Sequence, residues 1–380
     1  MINPANSVSI SAVIKIFLSF VISFTEFPEI EENKTIMNPL TPKLLISALL
    51  LLGLSPVKAQ SSMDTLSIFQ HLYTGKDSLL EISIETDLRQ LIRKKAQEEY
   101  QPAQITLPGS SGQALTFEIK LRARGNVRKK VCYYPPVKVN FKKSELRDQG
   151  FSESDKIKLV WQCADGNNNR NYLLKEYLIY RLYNQFTPNS FRVQPFQLQL
   201  VDSEGKVKTK ELFAFLIEPD GELAARTGAH IVDREGANSF MFEDQPYQDM
   251  CAFQYMIGNT DWSPINMHNL IMLMLPEDRK PTPVPYDFDY SGMVDAHYAI
   301  PPEQYPIKDV RERYYVGQAC QEEEARRLYE KFQVLKPQIM EYCRSFELMD
   351  EKDRRHVIDY LEEFFKRVKS PESVEHTFRQ

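Results

Sequence analysis

One change of pattern constrains this chain more than any other feature. Residues 79–218 read as a strand-rich stretch, and beyond residue 240 the periodicity turns helical. Leu79–Thr86 alternates apolar and polar residues as a half-buried strand does. Asp87–Tyr100 reads as a helix. Ala103–Leu107 and Leu115–Arg122 flank Pro108-Gly-Ser-Ser-Gly112 and form a hairpin. Val137–Phe141 and Lys156–Trp161 are two further strands. Asn171–Asn184 is a helix with Leu174, Leu178 and Leu182 on one face. Phe191–Val201 and Glu211–Ile217 close a second hairpin around Asp202-Ser-Glu-Gly-Lys206. Asp244–Ile257, Glu322–Phe346 and Glu351–Lys369 are then helical. Strands first and helices after predict an α+β architecture of two lobes, the first β-rich and the second mostly helical.

The N-terminal region follows other rules. Ile10–Phe24 is mostly apolar but broken by Lys15, and a second apolar run, Leu44–Leu54, follows Lys43 and leads into Ser55-Pro-Val-Lys-Ala59. A basic residue, an apolar core and small residues after it predict a signal peptide over 37–59, with translation starting at Met37 and residues 1–36 as an upstream extension. The competing reading makes Ile10–Phe24 a membrane anchor. Residues 60–78 then form a linker, 79–218 the β-rich lobe and 219–380 the helical lobe. Export places the mature chain in the periplasm, at the cell surface or outside the cell, without a stable membrane span. The formal net charge of −5 supplies no basic excess for nucleic acid. Five cysteines contain no CxxC pair, which speaks against a zinc site. Cys132 and Cys163 lie beside two strands and are candidates for a disulfide, with buried free thiols as the alternative.

The residues able to carry chemistry gather in the second half. Gly258-Asn-Thr-Asp261 is followed by His268-Asn269 and then by Asp287-Phe-Asp289. Between them, Leu270–Leu275 is a buried strand, and Pro283-Val-Pro-Tyr286 leads back along it. Such a hairpin brings Asp261, Asn269 and Asp287 together, with Asp287 and Asp289 on one side of the extended chain. Carboxylates with an amide suit Mg²⁺, and the set suits phosphoryl transfer: one carboxylate to orient a hydroxyl, an amide and a carboxylate on the metal. Asn266 competes with Asn269, and His268 is read as a brace for the loop of Asp261. In the first half, Arg122-Ala-Arg124-Gly125-Asn126 offers two arginines for phosphates at a strand end, or only a tight turn. Lys138 stands opposite Val137, Val139 and Phe141 on its strand, facing solvent or a cleft. Glu176 is its candidate partner, or a plain exposed helix charge between Lys175 and Arg181, and Arg170 is a candidate to meet a carboxylate across the cleft.

Taken in order, Arg-x-Arg-Gly-Asn, a strand lysine, Asp…Arg-Asn at a helix start, Gly-Asn-x-Asp…His-Asn and Tyr-Asp-Phe-Asp resemble the CotH-like secretory kinases over residues 80–300. The resemblance implies an atypical protein-kinase-like fold and use of ATP with Mg²⁺ or Mn²⁺. By position it makes Asp261 the catalytic acid/base and assigns Asn269 and Asp287 to the metal, with Asp289 supporting that site. Lys138, steadied by Glu176, and Arg124 are then the nucleotide-phosphate residues. The acceptor is an exported protein or a small hydroxyl compound. Three departures stand out: Tyr286 where the family commonly has Trp, Val127-Arg-Lys-Lys130 where small polar residues often follow, and a less polar Trp262-Ser-Pro-Ile-Asn-Met267 between Asp261 and His268. The alternatives are a catalytically inactive binding or structural module of the cell envelope, and a hydrolase using paired acids.

Overall fold

The computed structural model describes residues 65–109, 112–234 and 236–379. The signal peptide and upstream extension expected over 1–59 lie outside the described residues. Within the expected linker, helix α1 (Ile68–Leu72) buries Ile68, Phe69 and Leu72.

Seven strands form a closed barrel in the order β1-β2-β3-β4-β5-β7-β6. They are β1 (Leu80–Thr86), β2 (Gln101–Pro108), β3 (Ala114–Ala123), β4 (Val137–Phe141), β5 (Lys156–Trp161), β6 (Val193–Asp202) and β7 (Lys210–Ile217). Every pairing is antiparallel except β1 with β6, which run parallel from Leu80↔Phe196 to Thr86↔Asp202 and close the cylinder. Alternation fills its interior: Ile84, Phe117, Leu121, Val139, Leu159, Leu198 and Ala214 are buried there. Each large aliphatic or aromatic side chain so buried contributes roughly 1.5–3 kcal/mol.

This corrects the expected fold. The β-rich part is a closed mixed barrel, and the arrangement is not the two-lobed kinase-like one that the motifs implied. Period-2 alternation looks the same whether a sheet stays open or closes on itself. The parallel β1–β6 seam joins strands more than a hundred residues apart, and no local signal encodes it.

Short helices α2 (Leu88–Arg93), α3 (Val127–Val131) and α4 (Lys143–Asp148) decorate the barrel, and α5 (Asn167–Phe186) packs against its outside. The α2 helix stops well short of Tyr100, because only Leu88 and Leu91 find burial. Tyr177 and Tyr180 of α5 meet Phe213 and Phe215 on the outer face of β7. Helix α5 thereby joins the barrel to a second core, shared with α6 (Asp220–Thr227), α7 (Asp244–Ile257), α8 (Glu322–Arg344), α9 (Glu351–Arg367) and α10 (Pro371–Thr377). A small sheet, β10-β9-β8, lies among them, with β8 (His230–Val232), β9 (Leu270–Met274) and β10 (Thr282–Pro285). The β9–β10 hairpin pairs Leu270 with Pro285, so its two ends meet as expected. Among the described residues no helix is long and apolar enough to cross a membrane.

Candidate functional site

The Gly-Asn-Thr-Asp segment is built by three local devices. Gly258 ends α7 in the left-handed conformation, at φ +67°. Asn259, fully buried, donates to Gln254 and accepts the Asp261 amide at 3.0 Å, a turn that presents the Asp261 side chain. His268 Nε2 donates to Asp261 Oδ1 at 2.9 Å, and its backbone pairs with Ser263. The expected bracing role of His268 is thus present. Hydrogen bonding to Asp261 raises the imidazole pKa, since that partner favours the charged ring.

Asn269 Nδ2 donates both to the Asp261 carbonyl at 2.8 Å and to its carboxylate at 3.1 Å. Asn266 makes no such bond among the described residues and is exposed, so the structure ties Asn269 to Asp261. Across the hairpin, Asp287 projects from the end of β10. Asn269 and Asp287 both adopt positive φ, +54° and +62°, a conformation Asn and Asp tolerate better than other non-glycine residues. Their positions are fixed from below: the Asp287 amide donates to Tyr180 Oη at 2.9 Å, and Phe288 packs edge-on against the Tyr180 ring.

Glu176 and Tyr180 lie one turn apart on the same face of α5. Tyr180 holds the Asp287 backbone, whereas Glu176 meets a residue that sequence reasoning did not single out. Arg128, from the short helix α3, lies 2.5 Å from Glu176, 3.1 Å from Asp289 and 4.0 Å from Asp287. Tyr298 Oη accepts from Arg128 Nε at 3.1 Å and donates to Asp289 at 3.0 Å. One buried guanidinium therefore faces three carboxyl groups. Burial raises the pKa of Glu176, to about 7, with Arg128 opposing the rise. It raises Asp289 well above the carboxylate range, with Asp287 and Glu176 adding to the effect. Arg128 was hidden because Val127-Arg-Lys-Lys130 reads as a solvated basic run. The one signal available was the surplus of acids downstream, which calls for a buried cation.

These elements enclose a pocket of about 320 Å³, lined among others by Arg124, Arg128, Asp261, Asn269, Asp287 and Asp289. That volume lies within the range of small-ligand sites. Five of the seven residues selected from sequence thus converge, namely Arg124, Asp261, Asn269, Asp287 and Asp289. Glu176 stands behind the pocket and touches it through Arg128. Lys138 does not line the pocket, and Glu176 pairs with Arg128 instead of Lys138. Arg170 donates to the Leu348 carbonyl at 3.0 Å and lies over the Phe213 ring, instead of bonding a carboxylate. Cys132 and Cys163 are joined in a disulfide, which ties the end of α3 to the end of β5.

The donor set fits a hard divalent cation. Among the described residues no cluster of three or more His, Cys, Asp or Glu is arranged to hold a metal. Mg²⁺, however, commonly takes only one or two carboxylates and keeps its waters. Asp287 is part-exposed in the pocket, the Asn269 amide oxygen accepts no hydrogen bond among the described residues, and Glu176 Oε1 is buried without a partner. Asp289, engaged by Arg128 and Tyr298, supports this set more than it joins it. A scan against protein-family models finds no family that matches this chain. A search of curated proteins finds no relative of it either.

Proposed function

We propose that this pocket carries out metal-dependent phosphoryl transfer from ATP to a hydroxyl group, on an exported protein or a small molecule. The observation that carries the reading is the convergence of Asp261, Asn269 and Asp287 on one pocket that Arg124 and Arg128 also line. In this reading Asp261 orients the acceptor hydroxyl and takes its proton, held in place by His268 and Asn269. Asn269 and Asp287 hold Mg²⁺ or Mn²⁺, which when bound neutralises charge on the transferring phosphoryl group. Arg124 meets the phosphates from the barrel side, and Arg128 keeps Glu176 and Asp289 in register. The order of motifs resembling CotH-like secretory kinases supports the reading, although the scaffold is a barrel. A disulfide at Cys132–Cys163 supports an exported location, periplasmic, surface-bound or secreted, because such bonds persist in oxidising compartments.

A second reading has an observation of its own. Arg128 already neutralises part of the acid cluster, as it would in an inactive envelope module that no longer needs a metal. Titration of the full-length protein with Mn²⁺ and ATP separates the two. The kinase reading expects ATP binding that requires the metal and is abolished in Asp287→Ala. It further expects Asp261→Asn to lose transfer while keeping fold and nucleotide affinity. A well-folded wild-type protein that binds neither metal nor nucleotide would sink this reading and leave the binding module.

A further inference from the structure

The outer face of β3, β4 and β5 carries an array that the pocket alone does not explain. Ile119, Leu121, Val137, Val139, Ile157 and Leu159 point into the barrel. Alternation therefore turns Lys120 and Arg122 outward on β3, with Arg124 just past its end, Lys138 and Asn140 on β4, and Lys156 and Lys158 on β5. The register sets them in rows: Arg122↔Lys138↔Lys158, then Lys120↔Asn140↔Lys156. The Arg124 amide bonds to the Pro136 carbonyl, extending the ladder by one step to the rim of the acid pocket. A cationic track thus starts at Arg124 and runs away from the pocket over four residues of strand, about 13 Å.

Like charges directly opposite one another destabilise a sheet, so the array needs a reason. Internal partners relieve it only in part. Glu98 pairs with Arg122 at 2.9 Å, Asp220 with Lys158 at 2.7 Å and Asp155 with Lys156 at 3.7 Å. Lys120, Arg124 and Lys138 have no ion-pair partner among the described residues. Arg122 Nε and Asn140 Oδ1 are buried without hydrogen-bond partners, one donor and one acceptor left open within the array. Partial burial, then the fields of Arg122 and Lys156, depress the Lys138 ammonium pKa, a field that a bound anion would relieve.

We propose that this face binds a linear phosphoanhydride chain whose terminal phosphoryl group enters the acid pocket at Arg124. The proposal rests on the phosphoryl-transfer reading and extends it to the donor. A track of this length exceeds the triphosphate of one nucleotide, so inorganic polyphosphate and ATP are both sources of the same chemistry. In the transfer step, the acceptor oxygen forms a bond to the terminal phosphorus and the bridging P–O bond breaks. The hydroxyl proton passes to Asp261. The electron pair of the broken bond leaves on the shortened chain, where Arg122 and Lys138 meet the new terminal charge.

The test is equilibrium binding to the full-length protein of ATP, inorganic tripolyphosphate, a long-chain polyphosphate and a single-stranded oligonucleotide of matched charge. Wild type should bind the long chain at least tenfold more tightly than tripolyphosphate, and the oligonucleotide more weakly than either. Lys120→Glu with Lys156→Glu should erase the long-chain advantage and leave tripolyphosphate within about twofold, whereas Lys138→Glu should weaken both at least tenfold. Equal long-chain and tripolyphosphate affinity in wild type, with ATP bound, restricts the donor to the nucleotide and overturns the track. So do charge reversals that leave binding unchanged, or an oligonucleotide that binds as well as polyphosphate. Chain binding without transfer from any donor would overturn the kinase reading and leave the track standing. Transfer from ATP with a donor KM indifferent to the charge reversals would do the opposite.

Discussion

Arg128→Met tests the electrostatics of the site most directly. The substitution keeps a long unbranched side chain and removes the only guanidinium, among the described residues, within 4.0 Å of Glu176, Asp287 and Asp289. Breaking a buried ion pair from one side costs about 3–5 kcal/mol, because the partner charge is left without compensation. That is a large share of a typical folding free energy of about 5–15 kcal/mol. At about 2–3 °C per kcal/mol for a chain of this size, the melting temperature should fall by roughly 6–15 °C near neutral pH. The pH dependence carries the diagnosis. Burial raises the Glu176 carboxyl pKa to about 7 in the folded state, with Arg128 opposing. The folded protein therefore holds more protons than the unfolded chain between about pH 4.5 and pH 7, and stability declines as pH rises through that window. Without Arg128 the Glu176 carboxyl is pushed higher and the decline extends above pH 7, so the deficit should be largest there and shrink toward pH 5, where Glu176 is neutral with or without Arg128. Urea denaturation at pH 5, 6 and 7.5 measures it. A deficit that is below about 1 kcal/mol, or equal at all three values, would refute the assignment of Arg128 as the cation of this cluster.

Three further outcomes follow from the geometry. Cys132→Ser or Cys163→Ser opens a loop with a sequence separation of 31. Either change should cost about 4 kcal/mol on the loop-entropy estimate, and wild type in reductant should match the variants in urea denaturation. Gly258→Ala places a Cβ at positive φ, 2.1 Å from Tyr360 Oη, and should cost roughly 2–4 kcal/mol. Tyr360→Phe in the same chain should recover part of that loss, because the next-nearest atom lies at 3.3 Å; a double-mutant cycle in thermal melts reads the recovery, and additive losses would count against the clash. Tyr180→Phe removes the acceptor of the Asp287 amide. It should lower stability by about 1–3 kcal/mol and weaken Mn²⁺ binding, both measurable by calorimetry.

Much of the local structure was legible. Val137–Phe141, Lys156–Trp161 and Asp244–Ile257 begin and end where their periodicity says they should. The hairpin that joins Asn269 to Asp287 was equally plain, because an apolar run, a polar turn and a Pro-rich return are adjacent in sequence. What escaped was of two kinds. A strand of three residues, β8, and helices of five and eight, α3 and α6, are too short for a periodic signal of their own type. The barrel's closure depends on which strand finds which partner, and the parallel seam of β1 on β6 is a long-range choice that alternation leaves open. The same limit explains Lys138. Its strand and its face were right, but no local pattern states whether that face looks into the acid pocket or along the barrel beside it.

The misplacement of the Lys138–Glu176 pair has a physical lesson about how such sites balance charge. Two buried carboxyls, Glu176 and Asp289, and the part-exposed Asp287 need a counter-charge, and a single arginine supplies one unit of it. Arg128 is therefore enough to fold the cluster but not enough to neutralise it while every carboxyl is ionised. The remainder is met by protons, which is why burial raises both Glu176 and Asp289. A divalent cation at Asn269 and Asp287 would take over the role of those protons and release them. A track of surplus cations begins one residue pair away, at Arg124 and Pro136. Neighbouring surpluses of opposite sign would cancel by moving toward each other if folding stability were all that mattered. Their separation, acids in the pocket and cations on the barrel wall, is what a ligand carrying both phosphates and a metal would require.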